Sequence, residues 1–111
     1  MTAESISLLE KYRIGWVMVD AGGRWPSSQE IITARYIYIW LHGPDGSYAT
    51  GYTMQAVRQL AKKCHSWQAK GLDCWVFFNN DIDGHAVQNS KQLQKMIEAA
   101  KDRHAAMGPP R

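Results

Sequence analysis

The sequence predicts an α/β fold of about three parallel strands with helices packed on one face, in the order α-β-loop-β-α-β-α. Two stretches carry that prediction. In the first, the apolar run Cys74-Trp75-Val76-Phe77-Phe78 stops at Asn79-Asn80-Asp81, turns through Asp83-Gly84 and enters a helical pattern. A strand that hands polar side chains to a helix start marks the C-terminal rim of a parallel sheet, where α/β folds place their ligands. In the second, the β-branched and aromatic run Tyr36–His42 reaches the next strand through a helix-length segment. That connection makes the pair parallel and the crossover right-handed.

The elements follow in order. Thr2 caps a first helix that runs to Lys11, with Ile6 and Leu9 apolar at helical spacing. After Gly15 comes Trp16-Val17-Met18-Val19-Asp20, a short continuous apolar run of the kind that forms a buried strand. Gly22, Gly23 and Pro26 make the stretch from Ala21 to Ser28 irregular. The strand Tyr36–His42 has two unlike faces, Ile37, Ile39 and Leu41 on one and Tyr36, Tyr38, Trp40 and His42 on the other. The aliphatic face suits helix packing, and the aromatic face suits a cavity or a barrel interior. Gly43-Pro44-Asp45-Gly46 is a turn by composition, and Tyr48 and Tyr52 lie in the loop that follows. Thr53 caps a helix to about Lys70 with an apolar stripe of Met54, Val57, Leu60, Ala61, Cys64 and Trp67, and Gly71 closes it. The third strand is Asp73–Phe78. Asp83 is placed to cap the last helix, in which Ala86, Ser90, Leu93, Ile97 and Ala100 share a face. The Gly108-Pro109-Pro110-Arg111 tail is expected to fray.

Composition narrows the class. A chain of 111 residues is one domain, and 45% hydrophobic content is that of a globular protein. The formal charge of +3 is mild, and its excess falls on Lys91, Lys95, Lys101, Arg103 and Arg111, where a basic helix reads as a solvated face before it reads as a nucleic-acid site. Cys64 and Cys74 lack Cys-x-x-Cys spacing and fall on apolar faces, so they read as buried free thiols in a reducing compartment. No apolar run approaches the ~18 residues of a membrane span, and no charged-then-apolar leader is visible. The expectation is a cytoplasmic protein with no membrane contact.

The residues Leu41-His42-Gly43, Tyr48, Tyr52, Trp67, Phe78-Asn79-Asn80-Asp81, Gly84, Ala86-Val87, Asn89 and Leu93 resemble, in order and spacing, the C-terminal part of the YecE-like family, domain of unknown function 72. The resemblance runs from about Leu9 to Ile97, and it implies a partial, half TIM-type barrel. It covers less than half of the family's domain. The family's strand carries Arg two residues before the His, where this chain has Trp40. Losing that Arg removes a fixed cation able to hold a carboxylate or phosphate. The resemblance supplies a fold and no reaction.

Strand alternation gathers Asp20, His42 and Asn79 on the inner face at the strand C-termini, with Asn80, Asp81 and Asp83 just beyond. In barrels, polar residues there bind ligands or catalyse. Histidine is the side chain that serves acid–base chemistry most readily at neutral pH, which makes His42 the best acid–base candidate, with Asp20 and Asp81 as catalytic partners. Asn79, Asn80, Tyr48, Tyr52 and Trp40 are the candidate ligand-binding residues. Against this stands the plainer reading that Asn and Asp satisfy turn and helix-end backbone groups and that the tyrosines pack the loop down. A metal held by this rim is the weaker option, and phosphate at the last helix start is opposed by Asp81 and Asp83. No phosphate loop, nucleophile elbow or zinc-protease helix occurs, so the cofactor is undefined.

If the aromatic faces point inward, Trp16, Tyr36, Tyr38, Trp40, Trp75 and Phe77 line a lumen with on the order of 900–1,500 Å² of ring surface. Monomers leave patches of only ~300–600 Å² bare. The expected partner is therefore a second copy of the chain or a complementary barrel half. On this view the chain acts through assembly and is not catalytic alone. The alternative is a small enzyme or ligand-binding protein that uses the polar rim.

Overall fold

A computed structural model of the protein describes residues 2–20, 30–44, 51–80 and 84–106, with side chains to residue 103. The described elements are α1 (Ala3–Lys11), β1 (Val17–Asp20), β2 (Tyr36–Leu41), α2 (Met54–Ala69), β3 (Asp73–Phe78) and α3 (His85–Ala106). The three strands form one parallel sheet in the order β1-β2-β3. All three strands therefore begin at the same end of the sheet and finish at the other.

Two of the three predicted N-caps form. Thr2 and Thr53 accept hydrogen bonds from the Ser5 and Ala56 amides at 3.1 Å, each satisfying one of the orphan N–H groups of a helix start. At the other end of α2, Gly71 adopts φ +84, which glycine reaches without a steric penalty, and its N–H bonds back to Gln68. Asp83 lies outside the described residues. Two strand ends fall one residue inside the predicted limits: Trp16 precedes β1 and His42 follows β2. His42 still donates its N–H to Asp20 O at 2.8 Å, and Asn79 donates to Leu41 O at 2.9 Å, so the ladder outlasts the strands.

The two faces of β2 separate as alternation requires. Ile37, Ile39 and Leu41 are buried with Met18 and Trp67 in one cluster, and Val57, Ala61 and Leu93 form a second. Tyr52, Leu60, Val76 and Phe78 pack against both clusters, which joins them into one core between the sheet and the pair α2 and α3. Burying each of these aliphatic side chains contributes about 1.5–3 kcal/mol. The opposite face of the sheet carries Tyr36, Tyr38, Trp40, Trp75, Phe77 and Val17, every one of them exposed. A thickness of 16 Å along the shortest axis accommodates one sheet and one helix layer and no more.

Register corrects one part of the predicted lumen. Val17 pairs with Tyr38 and Asp20 with Leu41, so Val17 and Val19 share the aromatic face while Met18 and Asp20 point to the helix side. Trp16 has the parity of Met18, is half-buried, and does not join the exposed rings. Among the described residues, α1 approaches no other helix or strand within 8 Å between Cα atoms.

Candidate functional site

The C-terminal rim of the sheet is divided by the sheet itself into two groups of polar side chains. On the aromatic face, Trp40 and His42 are successive members of one alternating row, and their ring centroids lie 5.2 Å apart at 35°. Asn79, at the end of β3, reaches both. Its amide is oriented by its neighbours: the oxygen accepts from Trp40 Nε1 at 3.1 Å, and the nitrogen donates to Leu41 O at 2.9 Å. The same amide meets His42 Nδ1, its nitrogen at 2.7 Å and its oxygen at 3.0 Å, so it suits either tautomer of the ring. His42 is buried although the rings beside it are not.

On the helix side the hub is Tyr52, just ahead of the Thr53 cap. Its hydroxyl donates to Asp20 Oδ2 at 3.0 Å and accepts the Gly43 N–H at 2.9 Å, and its ring meets Phe78 edge-on at 5.9 Å. Its backbone is clamped by one amide. Tyr52 N–H donates to Asn89 Oδ1 at 3.0 Å, and Asn89 Nδ2 donates to Tyr52 O at 3.1 Å. Asn80 Nδ2 donates to the same Asn89 oxygen, and Asn89 donates also to Gln92. Asn80 and Asn89 are both buried, where polar groups persist because they are hydrogen-bonded. The adjacent Gly51 lies so close to His85 that a Cβ would sit 2.8 Å from Nδ1. This network ties the ends of all three strands to the starts of α2 and α3.

The predicted rim residues thus fall into separate places. Trp40, His42 and Asn79 come together on the aromatic face. Asp20 does not share their face as expected; its carboxylate is taken by Tyr52 on the helix side, beside a cleft of about 190 Å³ that Leu41, Val57, Leu60 and Phe78 line. Asn80 belongs to the Tyr52 network. Asp81 and Tyr48 lie outside the described residues. Sequence reasoning passed over Asn89 as a site residue, yet a signal existed: it is a large polar residue inside the apolar row of Ala86, Leu93 and Ile97.

Among the described residues no group of three or more His, Cys, Asp or Glu side chains could hold a metal ion. Cys64 and Cys74 are free thiols, with Cys74 Sγ 3.9 Å from Cys64 O. Burial, reinforced by the neighbouring Cys74, pushes the Cys64 thiol up to about 12, which makes it a poor nucleophile. No described helix is long and apolar enough to cross a membrane.

A parallel sheet covered by helices on one face, aromatic on the other and polar at its C-terminal rim defines a partial, barrel-like α/β fold. The chain belongs to the family described as Protein of unknown function DUF72, whose model matches residues 1–111. Two solved structures are similar to it. One is a DUF72 family protein from Thermotoga maritima MSB8, with a TM-score of 0.75 and 26% identity over 87% of this chain and 42% of that one. The other is a DUF72 family protein from Enterococcus faecalis V583, with a TM-score of 0.73 and 17% identity over 86% of this chain and 41% of that one. The chain therefore spans about two fifths of the length of these solved relatives. No curated protein matches it.

Proposed function

We propose that the chain acts through assembly, with the aromatic face of its sheet as the contact surface and a second copy as the occupant. One observation carries this reading: five aromatic side chains on one face, Tyr36, Tyr38, Trp40, Trp75 and Phe77, are each 36–54% exposed. Tyr38 and Phe77 stack at 4.9 Å, so the face is a continuous apolar surface. At ~150–250 Å² per ring, these exposures leave on the order of 300–550 Å² bare. That is smaller than the sequence suggests, because the rings cover one another and Trp16 is not among them. It still matches the largest patches that monomers leave open, ~300–600 Å².

Area sets the strength of the contact. Two such faces pressed together bury roughly 600–1,100 Å², below the ~1,200–2,000 Å² of stable complexes. Self-association through the rings alone is weak and concentration-dependent. The edges of β1 and β3 add backbone hydrogen-bonding capacity to it. A complementary barrel part would engage the same face and both edges. Light scattering across a concentration series tests the reading: the mass should rise above 12.6 kDa, and a constant 12.6 kDa overturns self-association.

A second reading is favoured by the hydrogen-bonded cluster of Trp40, His42 and Asn79. It narrows the proposed ligand rim from Asp20, His42, Asn79, Asn80 and Asp81 to the groups that share the aromatic face. On this reading a small ligand sits on the rings and is oriented by the imidazole and amide. Any compound that raises the Tm through this site loses its effect in both His42→Ala and Asn79→Ala. A shift that survives both substitutions removes the rim from consideration.

A further inference from the structure

The outer surface of the helix layer carries a second feature, independent of the sheet. Helices α2 and α3 each offer a row at i, i+3, i+4 spacing to one groove of about 490 Å³. The floor is Ala61 from α2 with Met96 and Ala100 from α3, and Ala99 lines it from a more exposed position; all are small or flexible side chains that leave the groove open. The banks carry cations on both sides, Arg58 and Lys62 from α2 and Arg103 from α3. Among the described residues no acidic side chain lines the groove. Arg58, Lys62 and Arg103 are exposed and have no ion-pair partner among the described residues, whereas the neighbouring Lys63 is paired with Glu30.

From this arrangement we infer that the α2–α3 groove is a docking site for an acidic amphipathic helix of a partner protein. The apolar floor receives the partner's hydrophobic stripe, and the cations on the two banks receive carboxylates flanking that stripe. Helix-in-groove recognition has this form, with side chains at i, i+3, i+4 and i+7 as anchors. The floor decides between polyanions. A nucleic-acid backbone gains nothing from alanine and methionine between its phosphates, whereas an amphipathic helix buries apolar surface there. Bank charges set association rate and salt dependence more than affinity, so binding weakens as salt screens them.

The test uses the full chain and synthetic probes. A fluorescent peptide helix with a leucine stripe flanked by glutamates should bind saturably at low salt. A version with lysine for glutamate, and a short DNA duplex, should bind at least about tenfold more weakly. Arg58→Glu combined with Lys62→Glu should weaken the glutamate peptide by about tenfold or more. Ala99→Leu, which puts bulk into the groove and leaves every charge in place, should weaken it as well, with circular dichroism showing both variants folded. Absence of saturable binding overturns the inference. Equal or tighter binding of the duplex overturns it too, as does indifference of the peptide to Ala99→Leu, which would mean charge adhesion without a groove.

Discussion

Asn89 does more for this fold than its place in the sequence suggests. One buried amide satisfies both backbone groups of Tyr52 and receives the Asn80 amide. Asn89→Ala should therefore destabilise the chain by about 2–4 kcal/mol, since it leaves several buried partners unmet at ~1–3 kcal/mol each. Urea denaturation reads this directly. Tyr52→Phe removes only the hydroxyl between Asp20 and Gly43 and should cost less, about 1–2 kcal/mol. Cys64 gives a prediction in pH. Its thiol is raised from 9.0 to about 12, chiefly by burial. Between these values the folded chain keeps a proton that the unfolded chain has lost, so stability present below about pH 9 declines as pH rises toward 12. The urea midpoint should fall over that window, and should fall less in Cys64→Ala. These contributions were only partly legible in the sequence. Cys64 is buried as expected and Cys74 is only half-buried, but nothing local reveals that Asn89 and Tyr52, separated by 37 positions, share two hydrogen bonds.

At the scale of elements, the sequence speaks clearly where the signals are local. Thr2 and Thr53 sit where a side-chain oxygen is needed, Gly71 where a positive φ is needed, and the alternation of β2 is long enough to sort aliphatic from aromatic residues unambiguously. Thr53→Ala should cost about 1 kcal/mol, and Ile37→Ala, which opens a hole between sheet and α2, about 2–5 kcal/mol. Both are read from the urea midpoint. β1 is different. Val17-Met18-Val19-Asp20 is apolar on both sides, so its pattern does not say which way Asp20 faces. Pairing with β2 decides it, opposite Leu41 and away from the Trp40 row. That is why the expected acid–imidazole grouping separates into a Trp40–His42–Asn79 cluster and a Tyr52-centred network.

For the whole molecule, the slab has a finished face and an open one. The helix side is packed and tied at the strand ends, while the opposite side presents stacked rings between two strand edges. The chain belongs to the DUF72 family and spans about two fifths of its solved relatives' length. Strand alternation places Tyr36, Tyr38, Trp40, Trp75 and Phe77 on one face, whereas Trp16, grouped with them, has the parity of the other. Alternation does not show how far the rings shield one another, because ring packing depends on the twist and register of all three strands. Sedimentation equilibrium of the wild-type chain beside Tyr38→Glu combined with Phe77→Glu addresses the proposed contact most directly. The account predicts a concentration-dependent mass above 12.6 kDa for the wild type, and a folded monomer for the variant. A wild type that stays at the monomer mass throughout, or a variant that associates as strongly as the wild type, would contradict it.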